Sequence, residues 1–136
     1  MNTQMIWLTV LAFGPVVASA QLAVNVCPVR ITGSKTVVPL RMKNEFAETI
    51  ESARAACFLL DDNGKVVAHA TRWVIGGNKT IGLPAGTTNS FYFVIGGEQP
   101  FTTTNLTAKV SFTRLVLEGG RMADPSTQVT TTPSAK

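Results

Sequence analysis

From Leu106 to Thr113 the side chains alternate without a fault, with Leu106, Ala108, Val110 and Phe112 against Thr107, Lys109, Ser111 and Thr113. Successive residues of an extended strand point to opposite faces, so this pattern commits the segment to a strand with one face buried. At Arg114 the phase reverses, since Leu115 and Leu117 are apolar where Thr113 is polar. A strand that changes its buried face carries a bulge or moves from one sheet to another. Weaker forms of the same alternation occur over Leu22–Cys27, Thr36–Lys43, Val66–Val74 and Ser90–Ile95. With Ser52–Leu60 and Thr80–Leu83 these make about seven strands, separated by turn residues, and little helical signal competes with them. The expectation is an all-β fold, an antiparallel β-sandwich.

Individual residues sharpen that expectation. Asp62-Asn63-Gly64 separates two apolar runs, and Asn-Gly tolerates the positive φ angles of a type I′ hairpin turn. Pro39 has no N–H for a ladder, which predicts that Thr36–Lys43 is an edge strand or carries a bulge. Asn44–Leu60 is open to two readings. Phe46, Ile50, Ala53, Cys57 and Leu60 fall at helical spacing behind a possible Asn44 cap. The hairpin that follows instead favours a loop or short helical turn over Asn44–Glu51 and a strand over Ser52–Leu60.

Both ends of the chain depart from the strand pattern. Met1–Ala20 holds no Lys, Arg, Asp or Glu, and its apolar run Ile6–Val17 is too short to span a bilayer. Ala18-Ser19-Ala20 then supplies the small-x-small pattern of a signal peptidase site, so cleavage is expected between Ala20 and Gln21. The mature protein is expected to be secreted or periplasmic, with no stable membrane insertion. Residues 21–120 form the expected sandwich domain. Residues 121–136, rich in Ser, Thr and Pro, are expected to be a disordered tail.

The stretch from Asn44 to Ile95 resembles bacterial extracytoplasmic immunoglobulin-like domains of the FxLYD and fibronectin type III sort. The likeness rests on an Asn-bearing loop, Phe58-x-Leu60-Asp61, the Asn63-Gly64-Lys65-Val66-Val67 hairpin, Leu83-Pro84-Ala85-Gly86 and Phe91-x-Phe93. It implies an immunoglobulin-like sandwich that serves as a binding, spacer or assembly module without catalysis.

Chemistry-bearing residues are few. One histidine and two cysteines disfavour a His/Cys zinc site, and no G-x-S-x-G elbow accompanies His69, which reads as a surface residue. Glu45, Glu48 and Glu51 read as a solvated loop face, Asp61-Asp62 as turn residues. Trp73 reads as a core residue between sheets. Cys27 and Cys57, in an oxidising compartment, could form a bridge worth roughly 3 kcal/mol, or remain free thiols. The net charge is +4, but the twelve Lys and Arg are dispersed, which argues against nucleic-acid binding. No cofactor is implied. The expected function is a non-enzymatic module that binds or scaffolds proteins or other envelope components. Two alternatives stand beside it: a structural subunit assembling through a free sheet edge, and a small secreted hydrolase or carbohydrate-binding accessory domain. Thr36–Lys43 is the expected contact edge, with Arg41 and Lys43 as contact residues and weak self-association as its consequence.

Overall fold

The structure is a computed structural model that describes residues 21–77, 81–97, 101 and 105–133. The leader read at Met1–Ala20 lies outside them, as does Thr80. The described chain forms a β-sandwich of two sheets. In order it comprises β1 (Leu22–Val26), β2 (Arg30–Thr32), β3 (Lys35–Asn44), β4 (Ile50–Leu60), β5 (Val66–Ile75), β6 (Thr88–Gly96), β7 (Thr107–Leu117), β8 (Met122–Ala123), a one-turn helix α1 (Pro125–Gln128) and β9 (Val129–Thr132).

The first sheet is built around β3. On one side β3 pairs antiparallel with β6 over its whole length, Lys35 opposite Gly96 and Lys43 opposite Thr88. On the other side β1 and β2 lie end to end, β1 against residues 40–44 and β2 against residues 35–37. β9 closes this side by pairing parallel with β1. The second sheet runs β5, β4, β7, β8, all antiparallel. Between the sheets lies a single core in which Leu22, Val24, Leu40, Met42, Phe93, Leu59, Ile75, Leu115 and Leu117 are buried. Each such side chain contributes about 1.5–3 kcal/mol by leaving water.

Several sequence expectations need correction. β3 is not an edge, despite Pro39. Its carbonyl accepts from Cys27 N–H at 2.9 Å, so its missing N–H would face the same way, as in any antiparallel ladder. That direction meets the break between β1 and β2, where Cys27-Pro28-Val29 leaves the sheet. The proline stands opposite a seam and costs little.

The hairpin after β4 is present, but not as a type I′ turn. Gly64 N–H donates to Asp61 O at 3.0 Å, Asp61 N–H donates to Lys65 O at 2.9 Å, and only Gly64 has positive φ, at 78°. This is a three-residue loop with glycine at the left-handed position. The Asp61 carboxylate completes it by accepting from the Asn63 and Lys65 N–H groups.

The helical reading of Asn44–Leu60 fails, because strand β4 begins at Ile50 and residues 45–49 form a loop. Asn44 organises that loop from a fully buried position. Its amide donates to Glu48 O at 2.8 Å and Leu83 O at 2.9 Å, and its Oδ1 accepts from Phe46 N–H at 2.8 Å. Of the strand expected at Thr80–Leu83, the described part contributes one bridge, in which Leu83 and Ile50 exchange both backbone bonds at 2.9 Å. Gly82 allows this approach, since a Cβ there would fall 2.5 Å from Ile50 O.

The phase reversal at Arg114 has its physical counterpart in β7. Arg54 pairs with Arg114 and Ala55 with Phe112, which leaves Thr113 as the bulged residue. The largest correction concerns the end of the chain. Residues 121–133 are not a disordered tail: β8 pairs with β7, α1 turns the chain, and β9 joins β1. Asp124 caps the turn, accepting from Ser126 N–H at 3.0 Å, with Pro125 behind it. An Asp-Pro pair is a helix-start signal that the tail's composition masked.

Candidate functional site: a bare strand edge and its groove

The crossing of the chain end from one sheet to the other creates the feature of most functional interest. β8 pairs only with Leu115 and Val116 of β7. Beyond that point the chain leaves through α1 to join β1, so among the described residues the outer edge of β7 over residues 107–114 has no ladder partner. The core-facing residues of β7 record the missing neighbour. Ala108, Val110 and Phe112 keep 7–9% exposure, whereas Ala55, Cys57 and Leu59 on adjacent β4 are at 0%.

A groove of about 400 Å³ runs along this edge, with Val110–Thr113 on one wall and Asp124–Ser126, Val129 and Thr131 on the other. A smaller cleft of about 200 Å³ continues it, sharing Val110 and Thr131 and ending against Val26 and Pro133. The groove is therefore apolar toward the core and hydroxyl-rich toward solvent. Unpaired N–H and C=O groups beside such a groove can receive an extended backbone, with side-chain pockets at alternate positions. The opposite margin differs, because there β5 and β6 approach one another.

Polar contacts hold the turn that leads from β7 toward the groove's far wall. Glu48 pairs with Arg121 through two hydrogen bonds, and that guanidinium holds the Glu48 carboxyl below its ordinary range. Thr49 N–H donates to the Glu118 carboxylate at 2.8 Å, and Gly119 N–H to that of Glu51 at 3.2 Å. Glu48 and Glu118 therefore stitch the loop before β4 to the turn after β7, and Glu51 holds that turn from within β4. Of the expected solvated face of Glu45, Glu48 and Glu51, the last two are engaged in this way and Glu45 lies 3.7 Å from Lys43 Nζ. Asp124 is also held low, by the Ser126 hydroxyl and N–H. Because its folded pKa is depressed, this cap stabilises above the ordinary value of 3.8 and is lost as pH falls through the lower folded value.

The residues singled out in the sequence are not brought together. Arg41 and Lys43 lie on the outer face of β3, in the middle of the first sheet, with Lys43 Nζ 3.7 Å from Glu45. They cannot flank an edge contact, because both sides of β3 are occupied. Cys27 and Cys57 are free. Cys27 follows the outward alternation of Ala23 and Asn25, whereas Cys57 points into the core from the second sheet, where burial pushes its thiol up to about 11. His69 is exposed, as expected of a surface residue. Trp73 is a correction, since it is 44% exposed on the outer face of β5 and fills no space between the sheets. Gln21, the expected first mature residue, donates its N–H to Gln128 O at 3.0 Å. Among the described residues no three His, Cys, Asp or Glu side chains form a metal-binding group, and no helix is long and apolar enough to cross a membrane.

No protein-family model matches the sequence, and no curated protein matches it either. Solved structures do. A Bordetella pertussis protein provisionally named ApaA superposes with a TM-score of 0.56 at 16% identity, covering 88% of this chain and 93% of its own. At that identity the match establishes a shared fold and nothing about function. IrmA from Escherichia coli matches at a TM-score of 0.47 and 12% identity, over 81% of this chain and 89% of its own. The archaellum stator complex FlaF–FlaG from Sulfolobus acidocaldarius matches at 0.38 and 16%, over 87% and 96%. Scores below 0.5 carry no argument here.

Proposed function

We propose that the protein is an exported, non-enzymatic β-sandwich of the immunoglobulin-like kind that binds partner proteins by taking one of their extended segments as an added strand on β7. The observation that carries this reading is the bare edge of residues 107–114 facing a groove lined by Val110, Phe112, Val129 and Thr131. An incoming strand gains backbone hydrogen bonds there, and its inward side chains cover the residual exposure of Val110 and Phe112. The leader pattern at Met1–Ala20 supports export, and the resemblance to immunoglobulin-like modules supports a non-catalytic role.

The test is selection of extended peptides on the immobilised protein, followed by N-methylation of the selected sequences at alternate amides. One methylated set should abolish binding while the other leaves it intact, and hydrogen exchange should slow over residues 107–114. Thr131→Trp, which fills both clefts, should block the site without unfolding the protein. Peptides that tolerate both methylation sets, or protection that falls on β5 or β6, would overturn the reading. Self-association blocked by Thr131→Trp would make the incoming strand a second copy of this chain, as in a structural subunit.

A further inference from the structure

The outer face of the second sheet meets the groove along β7, where Lys109 and Ser111 border both, and its residues form a repeat. The cross-strand register places Trp73, Arg54 and Arg114 in one row and His69, Phe58 and Lys109 in another. Between them lies a row of small residues, Thr71, Ala56 and Ser111. The two outer rows are four residues apart along β5, about 13 Å at a strand rise of ~3.3 Å. Each combines aromatic rings with cations. Trp73 and Phe58 are 44% and 37% exposed, and the Phe58 and His69 ring centroids lie 5.9 Å apart with the planes tilted by 35°.

The charge on this face has one sign. Neither β5 nor β7 contains an Asp or Glu, and the single acidic residue of β4, Glu51, is engaged at the end of the sheet with Gly119. Arg54, Lys109 and Arg114 form no ion pair among the described residues. The face therefore offers ring and cation, a gap, then ring and cation again.

We propose that this face binds a linear acidic polysaccharide of the uronate type. A repeat on the protein suits a ligand with a repeat, here a ring and a negative charge in each unit. The small central row breaks the apolar surface in two, so the face lacks the continuous apolar centre on which protein interfaces rely. Single-stranded nucleic acid lays its bases flat on aromatic rings. Phe58 and His69 are tilted 35° to one another, so the pair does not form one flat platform for successive stacked bases. Guanidinium groups beside the rings match carboxylates in geometry as well as charge.

Affinity electrophoresis of the exported protein through gels containing alginate, a uronate polymer, or neutral dextran tests the proposal. Alginate should retard the protein and dextran should not, and added salt should weaken the effect. Arg54→Gln combined with Arg114→Gln should weaken alginate binding about tenfold, and Trp73→Ala by a similar factor. If Trp73→Ala unfolds, the charge variants and Lys109→Gln decide the matter alone. Equal retardation by dextran overturns the proposal, as does wild-type behaviour of the charge variants or tighter binding of polyglutamate or oligothymidylate than of alginate. Trp73 lies on β5, outside both β7 clefts, so Trp73→Ala should leave peptide binding at β7 unchanged, and the two sites fail or survive independently.

Discussion

β3 and β7 each look misplaced when judged by composition. β3 carries a proline and three exposed cations, the marks of a protected edge, yet it is paired on both sides. β7 has the cleanest alternation in the chain, suited to any position in a sandwich, yet over residues 107–114 one side has no partner among the described residues. The difference teaches that edge or centre is decided by neighbours as much as by the strand itself. Pro39 is tolerated because the strand opposite it breaks there. β7 is exposed because the chain that begins to pair with it, at Met122–Ala123, departs for the other sheet.

Three measurements bear on this comparison. The largest effect is expected where β3 ends. Asn44→Ala removes three hydrogen bonds and leaves Leu83 O and Phe46 N–H without this side-chain partner, which should cost about 3 kcal/mol, read as a fall in the denaturant midpoint. A loss under about 1 kcal/mol would show that water replaces the side chain, and that the end of β3 is not fixed in this way. Next comes hydrogen exchange in the free protein. Amides along β3 should be protected to near the global stability, whereas those of residues 107–113 that face the groove should exchange at least about a hundredfold faster. Uniform protection along β7 would mean that its edge is covered and that the contrast with β3 is false. The smallest effect is expected at Pro39 itself. Pro39→Ala should change stability by less than about 1 kcal/mol, because the restored N–H faces the seam beside Cys27 instead of an intact ladder. A gain well above that value would mean that the proline strains the centre of the sheet.

Much of the fold was legible because burial imposes period two. The alternation of β1, β3, β6 and β7 named the inward residues, and the phase reversal at Arg114 located the bulge at Thr113. What remained hidden depends on which strands meet. β2, β8 and β9 have two to four residues each, too short for periodicity to register. Trp73 was misassigned because one strand shows which residues share a face but not which face meets the core. His69, Thr71 and Trp73 share a face, and that face points outward. The groove was invisible for a related reason, since it lies beside a stretch of β7 that has no ladder partner among the described residues, and no residue pattern marks an unpaired edge.

The parallel pairing of β1 with β9 has a mechanical consequence. Leu22 lies opposite Val129 and Asn25 opposite Thr132, so the chain enters at one end of this ladder and leaves at the other. Pulling the two ends apart slides the strands past one another, and every rung must yield together. An antiparallel pair pulled from neighbouring ends would open one rung at a time. Tension applied through the termini would therefore meet its first resistance in β9, the strand that also supplies Val129 and Thr131 to one wall of the groove.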